Sequence, residues 1–165
     1  MACVILRRMF TGEAIVAALE ELGVTHVVWV PDSATGLWEA ALEASRRLRL
    51  VRVCREGEAW PLAAGLHLGG QTPLIVMQST GLFESGDALR NVVFDLKLPI
   101  FALIGVRNAL APESRDSAKV FAEPILQAWR IPYTLLDRRH SANDLAICYQ
   151  ESQTRRRAAA ALIAE

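Results

Sequence analysis

The chain has 165 residues, 52% of them hydrophobic, and its 18 basic and 18 acidic side chains cancel to a formal net charge of zero. That length suffices for one domain with a sizeable core, and the charge balance carries no sign of a nucleic-acid face or a polybasic membrane patch. No apolar run reaches the ~20 residues of a membrane span, and Arg7 and Arg8 are not followed by an apolar signal core. Cys3, Cys54 and Cys148 lack Cys-x-x-Cys spacing, which points to reduced thiols in a cytoplasmic protein and to no zinc site.

In chain order, Thr11 is placed to cap a helix carrying Ile15, Leu19 and Leu22 on one face, and Gly23 ends it. Residues 26–30 read as a buried strand and residues 31–36 as a turn built from Pro, Asp, Ser and Gly. Residues 37–48 read as a second helix, with Arg46 and Arg47 at its negative end. A strand through Leu50, Val51 and Val53 follows, β-branched residues suiting a pleated surface. It leads through Glu56-Gly-Glu58 into a helix rich in Ala and Leu. Pro61 is expected in the first turn of that helix, where a missing N–H costs little, and Gly69-Gly70 closes it.

Residues 74–77 are a short apolar strand and residues 78–86 a polar, glycine-bearing loop. Leu89, Val92, Val93 and Leu96 then recur at helical spacing, with Ser85 as a cap. Residues 99–105 form another buried strand, 107–117 a surface loop, 118–129 a helix and 132–136 a last strand. Residues 143–164 read as one long helix or two broken pieces. Short apolar strands alternating with helices predict a three-layer α/β fold, a mostly parallel sheet with helices on both faces. No repeat, low-complexity tract or linker interrupts the chain, so residues 1–165 are expected to form a single domain.

Three segments that follow strands converge at one sheet edge: residues 31–36, 56–58 and 78–83. Ligands of open α/β sheets bind at such carboxyl ends, so a polar crevice is expected there. Dinucleotide and Gly-Lys-Ser/Thr phosphate fingerprints are absent, and no His/Asp/Glu cluster has metal-ligand spacing. Ser33 and Ser79 lack a nucleophile-elbow sequence and read as turn residues. His67 reads as packed, and Trp29, Trp38, Trp60 and Trp129 as core or subunit contacts. For Glu56 and Glu58 two readings stand. Each complements the positive helix end, worth roughly 0.3–1 kcal/mol, or one is an acid–base group at the crevice.

Four stretches carry a resemblance. Glu56-Gly-Glu-Ala-Trp-Pro-Leu-Ala-Ala-Gly65 has a Glu leading into an Ala-rich helix that ends in Ala-Ala-Gly. Gly23-Val-Thr-His-Val-Val-Trp-Val-Pro-Asp-Ser33 is a strand entering a Val-Pro turn. Met77-Gln-Ser-Thr-Gly-Leu82 and Ile131-Pro-Tyr133 complete the set. In this order and spacing, over residues 11 to 137, the chain resembles the pyrimidine-binding domain of thiamine-diphosphate-dependent decarboxylases, the sulfopyruvate and phosphonopyruvate decarboxylases among them. The resemblance implies that Glu56 hydrogen-bonds a ring nitrogen of the cofactor's aminopyrimidine. That bond favours the imino tautomer, whose exocyclic nitrogen takes the thiazolium proton before attack on a 2-keto acid. It implies cofactor contacts from Pro31, Asp32, Ser33, Gln78, Ser79, Thr80 and Gly81, and a solvated or interface role for Glu58.

The chain departs from the family at Arg55, where many relatives have His, and at Gln78-Ser-Thr-Gly81, where they have Gln-Asn-Ser-Gly. In the family a second domain holds magnesium and the diphosphate with Gly-Asp-Gly followed by Asn, and Gly86-Asp-Ala88 is not that motif. The resemblance therefore implies a partner beta subunit that carries the metal, with the cofactor between the subunits of a hetero-oligomer held by alpha-alpha or alpha-beta contacts. Arg55, Arg90 and Arg107 are candidates to recognise a second anionic group on the substrate, or are ordinary surface charges. A carboligase or a non-catalytic ligand-binding domain on the same scaffold would carry the same motifs.

Overall fold

Residues 10–164 are described by a computed structural model; Cys3, Arg7 and Arg8 lie outside the described residues. Six strands form one sheet: β1 (His26–Trp29), β2 (Arg49–Arg52), β3 (Pro73–Gln78), β4 (Phe101–Val106), β5 (Tyr133–Leu136) and β6 (Ala159–Ala164). Their order is β2-β1-β3-β4-β6-β5, and every pairing is parallel. β3 and β4 are buried almost end to end, as parallel strands covered on both faces must be.

Side chains alternate along β3 between two cores. Ile75 and Met77 face one with Trp60, Leu82, Leu89, Ala122 and Leu126, while Leu74 and Val76 face the other with Ile15, Leu19, Leu42, Leu145 and Tyr149. One layer therefore holds α3 (Glu56–Leu68), α4 (Ser79–Glu84), α5 (Gly86–Arg90) and α6 (Ala118–Ala128). The opposite layer holds α1 (Gly12–Glu21), α2 (Glu39–Ala44) and α7 (Ala142–Thr154). The order reverses direction between β1 and β3, and at such a switch point the carboxyl ends leave a crevice.

Several elements confirm the sequence reading. Thr11 Oγ1 accepts the Ala14 N–H at 3.2 Å, and Gly23 follows α1 with φ +72°. Others correct it. The helix expected over 37–48 is a 3-10 turn (Gly36–Trp38) followed by the short α2, because Ser45 is extended and its hydroxyl accepts the N–H groups of Arg47 and Leu48. Arg46 and Arg47 thus lie beyond the helix, and Arg47 pairs with Glu20. Pro61 is not in the first turn of its helix. α3 already starts at Glu56, so Pro61 sits in the second turn on an exposed face.

Residues 78–86 are not a loop. α4 and α5 run nearly end to end through them, because Leu82, Gly81 and Ser79 are buried against the sheet and packing overrides their turn-forming composition. Ser85 caps neither helix; its hydroxyl donates back to the Gly81 carbonyl at 2.6 Å. The helical path of α5 continues as a π turn over Asn91–Asp95. The largest correction is at the end. Residues 143–164 comprise α7, begun by Ser141 donating to the Asp144 carboxylate, and then β6, which inserts between β4 and β5. β5 is therefore an edge strand rather than the last. Among the described residues no helix is long and apolar enough to cross a membrane.

Candidate active site at the carboxyl edge of the sheet

The turn after β1 is organised by Asp32. Its Oδ1 accepts the N–H groups of Ala34 and Thr35 at 2.7 and 2.8 Å, and Oδ2 accepts the Thr35 hydroxyl at 2.7 Å and the Trp29 indole N–H at 3.3 Å. This is an Asx-type turn, and it leaves Pro31 and Ser33 exposed. The turn leans on the end of β4. A Cβ added at Gly105 would lie 2.9 Å from Ala34 Cβ and 3.3 Å from Thr35 Cγ2. Gly105 is level with Gln78 in the register, so the ends of β1, β3 and β4 close one corner of the crevice.

The second wall is the first turn of α3. Arg55 is its N-cap residue, extended and without a side-chain cap of its own. Glu58 is exposed and reaches back to accept the Cys54 N–H at 3.1 Å, so it helps to start the helix, as its reading as a complement to the helix end expects. Glu84, at the end of α4, supplies what Arg55 does not. Its Oε2 accepts the Gly57 N–H at 2.6 Å, and its Oε1 accepts the Arg55 guanidinium at 2.6 and 3.1 Å. The Gly57 N–H first, and Arg55 second, hold the Glu84 carboxyl below its ordinary range. Glu84 escaped the sequence reading, since nothing local marks a residue whose partner lies 27 positions away.

Glu56 stands between these walls, half-buried in the first turn of α3. Its side chain lies against Gly81 so closely that a Cβ there would be 2.4 Å from Glu56 Cγ and 2.6 Å from Oε1. The notch exists because residue 81 is glycine. At the head of the same helix, Gln78 Oε1 and Ser79 Oγ are buried without a hydrogen-bond partner among the described residues. Buried polar atoms of that kind normally mark a missing partner. Glu56 thus packs on Gly81, while Gln78 and Ser79 stand at the start of α4 and Thr80 is exposed.

The three candidate arginines are placed differently. Arg55 is committed to Glu84, Arg90 to Asp87 on α5 and to Asp95 in the π turn after it, and Arg107, just past β4, to Asp116. The Arg107 side chain is the chief reason the Asp116 carboxyl titrates low, with the Ala118 N–H and Asn108 adding to it. Any anionic group approaching these guanidinium forks competes with a carboxylate already in place.

Residues 9–107 match the family described as thiamine pyrophosphate enzyme, N-terminal TPP binding domain. The chain belongs to this family. It is 29% identical over 129 residues to the sulfopyruvate decarboxylase subunit alpha of Methanococcus maripaludis, an alignment covering 76% of each chain. It is 32% identical over 91 residues to the phosphonopyruvate decarboxylase of Streptomyces hygroscopicus, covering 55% of this chain and 23% of that one. Its fold matches the crystal structure of benzoylformate decarboxylase from Polynucleobacter necessarius with a TM-score of 0.70 at 17% identity, over 92% of this chain and 29% of that one.

The corner fits the aminopyrimidine end of thiamine diphosphate. That ring presents hydrogen-bond donors and acceptors on one flat edge. Glu56 offers a carboxylate, Gln78 an unpaired carbonyl oxygen, and Ser79 a hydroxyl that can turn either way. Among the described residues no group of three or more His, Cys, Asp or Glu side chains could hold a metal ion.

Proposed function

We propose that the chain is the alpha subunit of a heteromeric thiamine-diphosphate-dependent 2-keto acid decarboxylase whose substrate is sulfopyruvate or phosphonopyruvate. The observation that carries the reading is the Glu56 carboxylate fitted into the Gly81 notch of α4, the helix whose start leaves the Gln78 and Ser79 oxygens unpartnered. Bound thiamine diphosphate supplies a carbon nucleophile and a sink for the electrons left by carbon dioxide. Glu56 shares a proton with a pyrimidine ring nitrogen, in a site that the α3 and α4 walls partly screen from water. Gln78 and Ser79 orient the ring, and the turn around Asp32 to Thr35 closes its far side. The chain is one pyrimidine-binding domain, residues 1–165, of a cytoplasmic enzyme.

Magnesium and the diphosphate fall to a beta subunit. The alpha-subunit name of the methanogen relative supports this division. A second anionic group on the substrate would engage Arg107 by displacing Asp116, or the Arg55 N–H groups that Glu84 leaves free, and Arg90 is the third candidate.

The test is reconstitution with the beta subunit and a screen of 2-keto acids. Carbon dioxide release from sulfopyruvate or phosphonopyruvate should exceed that from pyruvate at least tenfold. Equal turnover of pyruvate refutes the substrate assignment. Carbon–carbon bond formation without net decarboxylation refutes the reaction assignment. Tight magnesium-dependent binding of thiamine diphosphate by this chain alone, seen by calorimetry, refutes the split site.

A further inference from the structure

Glu84 is tied to both chain neighbours of Glu56. One carboxylate oxygen takes the Gly57 N–H at 2.6 Å, and the other takes the Arg55 guanidinium at 2.6 and 3.1 Å. Three positions earlier on the same helix, Gly81 forms the notch that receives the Glu56 side chain. Positions three apart share a face of a helix, so a single face of α4 touches Glu56, the residue before it and the residue after it. The first N–H groups of any helix have no partner inside it, and at α3 the Gly57 group is satisfied from another helix.

Stability alone is a weak reason for this arrangement, since exposed ion pairs contribute little. A short charge-assisted bond to a backbone N–H is stronger and, above all, directional. Displacement of a reacting group by about 1 Å can cost ~100-fold in rate.

We propose that Glu84 is a positioning residue: by holding Arg55 and the Gly57 N–H it locks the first turn of α3 onto α4 and so sets where the Glu56 carboxylate sits. The proposal rests on the reading of Glu56 as the proton-sharing group. It assigns Glu84 no contact with substrate or cofactor. Glu84→Gln keeps an acceptor for the Gly57 N–H but releases Arg55; Glu84→Ala releases both.

Two readouts test it: hydrogen–deuterium exchange of the Gly57 amide in the full chain, and kcat and KM of the reconstituted enzyme. Glu84→Ala should speed Gly57 exchange at least tenfold and lower kcat by roughly 10- to 100-fold, with KM within about twofold. Glu84→Gln should restore most of both. The proposal is overturned if Gly57 exchange is unchanged in Glu84→Ala, or if it rises while kcat holds. It is equally overturned if Glu84→Gln regains Gly57 protection yet stays as slow as Glu84→Ala. Should Glu84→Ala fail to fold, Glu84→Ser, too short to reach the Gly57 N–H, takes its place, and unchanged Gly57 exchange or an unchanged kcat in Glu84→Ser overturns the proposal. Full turnover by Glu56→Gln would instead sink the reading of Glu56 and leave the Gly57 exchange result standing.

Discussion

Gly81→Ala separates position from stability at one atom. The added Cβ would sit 2.4 Å from Glu56 Cγ and 2.8 Å from Cδ, where ordinary contact begins at 3.4 Å. The Glu56 side chain must therefore withdraw by roughly 1 Å, enough for a ~100-fold loss of rate if it is the reacting carboxylate. The stability effect is small because two contributions oppose. Ala is favoured over Gly inside a helix by about 0.5–1 kcal/mol, while forcing a half-exposed Glu off its preferred rotamer costs about 0.5–1.5 kcal/mol. The net lies within about 1 kcal/mol, or up to about 4 °C in melting temperature for a chain of this size. Thermal unfolding of the chain and turnover of the reconstituted enzyme measure the two quantities. Full activity in Gly81→Ala would refute the placement of Glu56 in the notch. A stability loss above about 3 kcal/mol would show that the backbone, not the Glu56 side chain, absorbs the clash.

Glu56→Gln keeps size and hydrogen bonding but cannot exchange a carboxyl proton, so turnover and cofactor proton–deuterium exchange should fall by about two to four orders of magnitude with melting unchanged; Glu58→Gln is the control, and proton exchange equal to the unmodified enzyme sinks the assignment. Gly105→Ala meets Ala34 Cβ at 2.9 Å, a group with no rotamer to escape into, and should cost about 1–3 kcal/mol by thermal or urea unfolding; no measurable loss would mean the turn after β1 is not seated on β4. Five carboxyls are held low in the fold: Asp137 by the Arg139 side chain first, Asp116 by Arg107, Asp144 by the Ser141 N–H, Glu84 by the Gly57 N–H and Glu13 by its own N–H. Their folded pKa values lie below the unfolded ones, so their stabilisation is complete above about pH 4–5 and is lost as pH falls further through the folded values. Melting temperature should be level from pH 7 to about 5 and fall below that, less steeply in Asp137→Asn; an identical slope in Asp137→Asn would remove that residue from the account.

Five of the six strands were found from sequence, the central ones most plainly, because a strand buried on both faces declares itself without periodicity, as residues 74–77 and 99–105 do. The same logic failed for Ala159-Ala-Ala-Leu-Ile-Ala164. Alanine is the best helix former, and only the slot between β4 and β5 makes this run a strand. At the site, Glu56 was legible because a strand-to-helix junction is a local signal. α4 was not, since Ser, Thr and Gly advertise a turn while the burial of Ser79 and Leu82 is tertiary. Glu84 and the Gly81 notch belong to that hidden class. Each acts through a residue more than twenty positions away, and no window of sequence contains both partners.

The place of β6 has a consequence for how the chain is made. β4 is buried at every residue, and the neighbour that covers its outer edge, β6, is synthesised about fifty residues later, roughly 3–10 s at the pace of translation. Through that interval the nascent sheet ends in a bare, wholly apolar edge, a template on which another unfinished chain can pair. β5 emerges within it but cannot help, because its only place in the sheet is alongside β6. Products stalled between residues 106 and 159 should therefore aggregate, while full-length chains stay dispersed. The crevice that holds Glu56 is built from β1, β3, β4, α3 and α4, all synthesised before β6, so the site can take shape before the sheet that carries it is safe from its neighbours.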